Sequence, residues 1–374
     1  MRRRILHIIY SLHRGGAERL IETQALTGDR GRYEYLVCAI AGGDDLVDAI
    51  ESAGARVSLM RKRHRGDISV IPRIASLIKR QRIDLLHLHN MPGTLWGTLA
   101  ADLTVRRVPI VRTEHRPWPH EAFPWIYRAL YPYFTKRAAR VICVSRHVQS
   151  TFVEQFPRLA SKHVLIPNGV RMDAFSGLPD KTSARARFKL PPGIPIVGTV
   201  GRLVPVKNHR LLIDAFARVH AALPEAHLAI LGDGPLKEPL ASHAADLRLS
   251  NEISFVKTTS SAEVFFRCLD VFSLSSDSEG MPLTLLEAMA AGIPVAATAA
   301  GGVLEVIEDG ADGRLVPLGS ADALADAIIS LLSEPENSSA MGRRGLDKVG
   351  RLYSAERTVA ETERIYGEIL GAQS

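Results

Sequence analysis

Short apolar runs alternate along this chain with longer amphipathic stretches from one end to the other. In the first half the pattern predicts strands at residues 5–10, 35–39, 57–60, 85–89, 110–113, 141–144 and 164–166. Helical spacing fills most of the intervals, as at 17–27, 68–81 and 146–156. Strands in alternation with helices imply parallel sheets covered on both faces. Residues 176–195 break the rhythm with four prolines and a basic cluster. It then restarts, with strands at 196–200, 228–231, 253–255, 271–273 and 295–298 and a helix at 208–222. Helices at 321–332 and 355–370 close the chain. A restart of this kind predicts two Rossmann-like α/β domains, residues 1–190 and 191–350. Residues 351–374 are expected to form a helix that packs back across the junction. In open parallel sheets ligands sit beyond the carboxyl ends of the strands, so the informative residues are those just after each strand.

The 374 residues exceed what one core usually serves, and 46% hydrophobic content can fill two. No apolar stretch approaches the ~20 residues that span a bilayer. The opening MRRRILHIIY has the basic head of a secretory leader, but its apolar run covers only 5–10 and leads into Gly15 and Gly16. A buried first strand in a cytoplasmic protein is the expectation. Cys38, Cys143 and Cys268 are odd in number, far apart and set in apolar runs, which predicts buried thiols rather than metal or redox chemistry. The net charge of +7 hides an asymmetry. Residues 1–190 carry 32 Lys and Arg against 16 Asp and Glu (+16), and residues 191–374 carry 15 against 24 (−9). So uneven a split suggests that the first half faces something anionic, nucleic acid or membrane.

Three strand exits carry candidate chemistry. After the first strand, Gly15 and Gly16 open a helix, which suits either a phosphate or an ordinary tight turn. After the first strand of the second half comes GRLVPVKN, where Gly201 and Pro205 shape a loop holding Arg202 and Lys207. Fixed cations lacking anionic partners of their own are what a diphosphate requires. Further on stands SEGMPLTLLEAM: Glu279 in a loop with Gly280 and Met281, then a helix beginning near Pro282 and Leu283, with Glu287 one to two turns inside it. Two carboxylates eight residues apart, one at the mouth and one deeper, can each hold a hydroxyl pair of one ligand.

That acid pair, with GMPLTLLEAMAAGIPVAAT and then Gly301 and Gly302, resembles the retaining GT-B glycosyltransferases of family 4. GTVGRLVPVKN, LGDGP (231–235), VICVS (141–145) and IPNGV (166–170) extend the resemblance over nearly the whole chain in the family's order. It implies a GT-B architecture, two Rossmann-like domains whose parallel sheets face each other across a cleft. It also implies transfer of a sugar from a nucleotide-diphosphate donor, a UDP-sugar being expected, to a glycan or lipid-linked acceptor. By resemblance, Arg202 and Lys207 neutralise the diphosphate, Glu287 holds the ribose and Glu279 a donor-sugar hydroxyl near the amides of Gly280 and Met281. Gly15 and Gly16 match the loop that closes on phosphates and acceptor, and His115, in RTEH, matches a histidine that contacts the transferred sugar. His87 and Asn168 are candidates on the acceptor side. The family often follows Asn-Gly-Val with Asp; Arg171 stands there, with Asp173 displaced by two, so no role passes to that acid.

No D-x-D triplet occurs, so neither a metal nor any other cofactor is expected at the diphosphate. His7, His87, His89 and His115 fall at strand positions without metal-ligand spacing to Asp or Glu, which favours structural or substrate hydrogen bonds. A nucleotide-sugar epimerase of similar fold is the rival enzyme; a non-catalytic nucleic-acid or membrane binder is the rival of another class. No RNA-binding signature or aromatic stacking stripe supports nucleic acid. Residues 120–140 mix Trp125, Tyr127, Tyr131, Tyr133 and Phe134 with Arg128, Lys136, Arg137 and Arg140, and a basic run occupies 61–65. Such mixing suits peripheral docking on an anionic membrane surface.

Overall fold

A computed structural model describes residues 2–64, 66–118, 125–259 and 261–371, with the backbone alone at 125–127. The chain forms two compact units, Met1–Asn168 with Ala355–Ser374, and Gly169–Ser354.

The first unit is built on seven strands: β1 (Arg3–Ser11), β2 (Tyr33–Gly42), β3 (Arg56–Leu59), β4 (Leu85–His89), β5 (Ile110–Glu114), β6 (Arg140–Cys143) and β7 (His163–Leu165). All pairs are parallel, in the order β3-β2-β1-β4-β5-β6-β7. Side chains alternate between faces along each strand, so each face builds its own core. Ile5, Ile9, Tyr35, Val37, Leu85 and Val111 belong to one cluster, Leu6, Ile8, Leu36, Leu86, Leu88 and Ile110 to the other. The final helix, Ala355–Gly371, completes the first cluster with Ile365, Tyr366 and Leu370. Burying each such side chain contributes about 1.5–3 kcal/mol, enough to make the helix integral to this unit.

The second unit carries β8 (Ile196–Val200), β9 (His227–Leu231), β10 (Ile253–Val256), β11 (Val271–Leu274), β12 (Val295–Thr298) and β13 (Arg314–Val316). Its parallel order is β10-β9-β8-β11-β12-β13. Helices His209–Ala222 and Ala321–Ser333 cover one face with Leu212, Phe216, Val219, Leu324 and Ile328. In both sheets the direction of winding reverses beside the first strand, between β1 and β4 and between β8 and β11. Those reversals are the topological switch points where such sheets bind ligands.

The division falls at residue 168, not at 190. The proline-rich stretch read as a break instead contains helix Lys181–Arg187, which is sewn into the second unit. Its buried Arg185 donates to the carbonyls of Cys268 (3.0 Å) and Ile194 (2.9 Å) and pairs with Asp270 (2.8 Å). The three cysteines are buried and free. Among the described residues, no helix is long and apolar enough to cross a membrane.

Candidate functional site

The exits of β8 and β11 flank the switch point of the second sheet, and hydrogen bonds bind them into one piece. From the β8 exit, Gly201 N and Leu203 N donate to the carbonyls of Leu231 (3.0 Å) and Asp233 (2.9 Å). The glycines of LGDGP make this possible: a Cβ on Gly232 would lie 1.9 Å from the Gly201 oxygen. Pro205–Lys207 makes a single 3₁₀ turn, and Asn208 follows in the left-handed conformation at φ 43°. Asn208 then caps helix His209–Ala222 by accepting from Leu211 N (3.3 Å) and donates to Asp277 (2.8 Å). Asp277 N returns a bond to the Val206 carbonyl (3.0 Å), and Ser275 Oγ one to that of Lys207 (3.1 Å).

On this frame the two cations differ. Arg202 is exposed, and its guanidinium makes no hydrogen bond or ion pair with any described residue. Lys207 folds back over Gly201 and places Nζ 2.5 Å from Glu279 Oε1, an oxygen that also accepts from Ser276 Oγ (2.6 Å). The expectation of two cations without anionic partners is therefore corrected for Lys207. A buried carboxylate at Glu279 needs a counter-charge, and the lysine supplies it. Glu279 O accepts from Gly302 N (3.1 Å), which ties in the second glycine of the Gly301–Gly302 pair. Helix Leu283–Ala290 starts one residue after Pro282, which stands outside it as the N-cap residue at ψ 116° rather than in its first turn. Met281, Leu283, Leu285, Leu286 and Met289 are buried, as is Glu287 in the second turn.

In the first unit, Gly15 is the N-cap of helix Gly16–Thr27 in extended conformation, φ −160°. A Cβ there would lie 2.4 Å from Glu18 Oε2, so a carboxylate already faces this helix end and an incoming phosphate would meet it. Asp45 holds the approach, accepting from Arg14 N and lying 3.3 Å from His13 Nδ1. The RTEH segment has an internal logic. Arg112 is buried, donates to Thr94 (3.3 Å) and Thr135 (3.1 Å), pairs with Glu114, and lies 4.9 Å from the centre of the Tyr131 ring. That network fixes the end of β5 and so the place of His115, which is half-buried with its pKa pushed down to about 4, chiefly by burial.

His87 is corrected as an acceptor-side residue. It is buried, and its nitrogens lie 2.5 Å from Tyr366 OH and 2.6 Å from Thr113 Oγ1, so no ring atom remains for a ligand. Asn168 is also buried. Asp173 pairs with Arg171 (2.5 Å), an occupation the sequence did not foretell. In the aromatic segment, Tyr131 and Phe134 point into the core, and Tyr133 and Arg137 both bond Asp102. Residues 119–124 and the side chains of 125–127 lie outside what the structure describes. One residue escaped the sequence reading. His209 is buried under the Gly201 loop, its pKa pushed down to about 4 by burial and by Lys207. His7 shares a buried cluster with His87 and His89, their ligand-capable atoms all within 4.8 Å of one another. The sequence signal was there: His7, His87 and His89 occupy adjacent strands at like parity.

Two Rossmann-like sheets of this order, one with a cation loop beside a buried acid at its switch point, are the parts of a GT-B fold. Residues 180–348 match the family "Glycosyl transferases group 1" and residues 14–174 match "Glycosyltransferase Family 4". The chain is 33% identical, over 73% of its length and 75% of the relative's, to the GDP-mannose-dependent alpha-(1-6)-phosphatidylinositol monomannoside mannosyltransferase of Mycolicibacterium smegmatis. It is 25% identical to the N-acetyl-alpha-D-glucosaminyl L-malate synthase of Bacillus anthracis, over 81% of this chain and 80% of that one. HepE of Anabaena, solved with UDP and glucose, superposes with a TM-score of 0.87 at 22% identity, covering 98% of this chain and all of that one. The protein belongs to the group 1 and family 4 glycosyltransferases.

Proposed function

We propose that this enzyme moves a glycosyl unit, with retention and without a metal, from a nucleoside-diphosphate sugar to a lipid-linked or glycan acceptor. The observation that carries the proposal is Arg202, an uncommitted guanidinium held on a rigid loop at the switch point, beside a lysine already drawn to a buried acid. Breaking the bond from sugar to diphosphate develops negative charge on the leaving group, and preorganised cations stabilise that charge. Arg202 meets it directly. Lys207 shares it with Glu279, whose other oxygen is left to take a donor-sugar hydroxyl. Glu287 takes the ribose, His115 the transferred sugar, and the Gly15–Gly16 turn the acceptor end. The mycobacterial relative, named for a phosphatidylinositol mannoside acceptor, supports a lipid-linked glycan here. It also makes GDP-mannose a donor to test beside the UDP-sugars. The enzyme would reach such an acceptor by peripheral docking of its basic first unit.

A thermal-shift screen of UDP- and GDP-sugars tests the reading. A true donor at about 100 times its Kd adds ~2.7 kcal/mol of stability, and turnover with that donor should persist in EDTA. Absence of any nucleoside-diphosphate binding would sink the proposal. Loss of turnover in EDTA that Mg²⁺ restores would overturn its metal-free part.

A further inference from the structure

The first unit holds three imidazoles in line. His7 Nδ1 lies 3.0 Å from His89 Nε2, and His89 Nδ1 lies 3.2 Å from His115 Nε2. The rings stack, with centroids 5.2 and 5.5 Å apart and planes tilted by 19° and 21°. The sheet imposes this. His7 stands opposite His87 in the β1–β4 register and His89 opposite Thr113 in the β4–β5 register, all on the face that the final helix covers. His87 stacks on His89 at 4.3 Å and is itself held by Tyr366 and Thr113, which fixes the middle ring of the line. His7 and His89 are buried, and His7 Nε2 has no hydrogen-bond partner among the described residues.

A neutral imidazole has one N–H and one bare nitrogen. Burial keeps these rings neutral, pushing His7 down to about 3, His115 to about 4 and His89 well below its usual range. Two ring-to-ring bonds therefore couple three tautomers. If His7 Nδ1 donates, His89 Nε2 accepts, His89 Nδ1 donates, and His115 Nε2 accepts. The His115 proton must then sit on Nδ1. The opposite sense leaves a buried N–H on His7 Nε2 with nothing to receive it, whereas the first leaves only a bare nitrogen there. Orphaned buried donors are the rarer and costlier of the two.

We propose that His7 and His89 are positioning residues that lock His115 in the Nδ1–H tautomer, so that it offers the transferred sugar a hydrogen-bond donor. The proposal rests on the reading above that His115 meets that sugar. His89 acts through His115 and needs no contact with substrate.

The test is a double-mutant cycle with His89→Phe and His115→Ala, plus His89→Gln, whose amide can both accept and donate. His89→Phe should lower kcat about 10-fold or more while leaving nucleoside-diphosphate Kd within about 2-fold, and His89→Gln should recover most of the rate. In the His115→Ala background, His89→Phe should have no further effect. In ¹⁵N-histidine spectra of the intact enzyme, the His115 signal, assigned from His115→Ala, should show its proton on Nδ1. A proton on Nε2, or an equal kcat loss from His89→Phe in both backgrounds, overturns the lock. Unchanged transfer in His115→Ala overturns the reading of His115 itself, and the ¹⁵N result then judges the tautomer separately. If His89→Phe does not fold, His7→Phe takes its place in the cycle. Retention of one equivalent of Zn²⁺ after dialysis would show a metal centre in place of the relay.

Discussion

Arg202 and Lys207 share one loop and one charge, yet their structural commitments differ, and so should their variants. Arg202 supports nothing in the fold among the described residues, so Arg202→Ala should leave unfolding free energy within about 0.5 kcal/mol of the parent. Lys207 neutralises a buried carboxylate, so Lys207→Ala leaves the Glu279 carboxylate with the Ser276 hydroxyl and no counter-charge. That loss should cost about 1–3 kcal/mol, discounted from a fully buried pair because the lysine keeps some solvent contact. On the proposed mechanism turnover should fall by at least ~100-fold in both, since it assigns each a share of the leaving-group charge. Urea unfolding beside steady-state kinetics separates the two outcomes. Equal stability of both variants would mean that the Lys207–Glu279 pair does not hold the loop, and normal turnover in either would end the assignment.

The ends of β1, β4 and β5 gather histidines that the fold keeps neutral, and this gives the first unit an acid sensitivity whose sign is fixed. Unfolded, these rings titrate near 6.5; folded, His7 is pushed down to about 3 and His115 to about 4, with His87 and His89 well below their usual range, all chiefly by burial. Above pH 6.5 neither state binds the extra protons. Between about 6.5 and 4 the unfolded chain takes them up and the native one does not, so stability falls as pH falls, by at most about 1.4 kcal/mol per unit for each ring. The three tryptophans, Trp96, Trp118 and Trp125, all lie in the first unit, so their fluorescence reports its unfolding alone. The urea midpoint by tryptophan emission should drop clearly from pH 7 to pH 5, and an unmoved midpoint would contradict the buried, neutral cluster. These strand ends also show what the sequence made legible. All seven strands of the first sheet and five of the six in the second follow from apolar runs, most plainly the central β4, β5, β8 and β9, whose every residue is buried and which therefore carry few exposed polar positions. The three-residue β13 was too short to stand out. The places of Arg202 and Glu279 in loops after strands, and of Glu287 inside the helix that follows, were legible because glycine and proline mark the loops and apolar spacing marks the helix. The Lys207–Glu279 pair and the Arg112 network were not, since they depend on which side chains meet in the fold, and of the histidine line the sequence showed the members but not their ring-to-ring bonds. The boundary was misplaced for a related reason: prolines mark irregular backbone, and here that backbone is covered by its own unit.

At the scale of the whole molecule the charge split, +16 over residues 1–190 against −9 over the rest, calls for a surface that spends it. The segment 120–140 is a poor choice. Of its described rings Tyr131 and Phe134 are core and the exposed Tyr133 is tied with Arg137 to Asp102, and Lys136 sits at the end of a helix that returns to the start of β6, away from the strand exits. The loop after β3 is better placed, on the same end of the sheet as the Gly15 turn and His115. Asp67 fixes it by accepting from Arg63 N (3.0 Å) and Ser69 N (3.1 Å), which leaves Arg61, Arg63 and His64 exposed beside Ile68, itself 71% exposed. Exposed cations near one projecting aliphatic side chain match an anionic headgroup layer, each well-placed cation contributing about 1 kcal/mol. Co-sedimentation with phosphatidylserine-containing vesicles should therefore be salt-sensitive and should fall about 10-fold or more in Arg61→Glu with Arg63→Glu. Ile68→Ser should weaken it further, whereas Lys136→Glu, at the other end of the sheet, should not change it. The same variants should keep the parent's thermal shift with nucleotide, because none of them touches the second unit's loop. Equal sedimentation with neutral and anionic vesicles, or a loss from Lys136→Glu matching that of the loop variants, would rule out this loop as the docking surface.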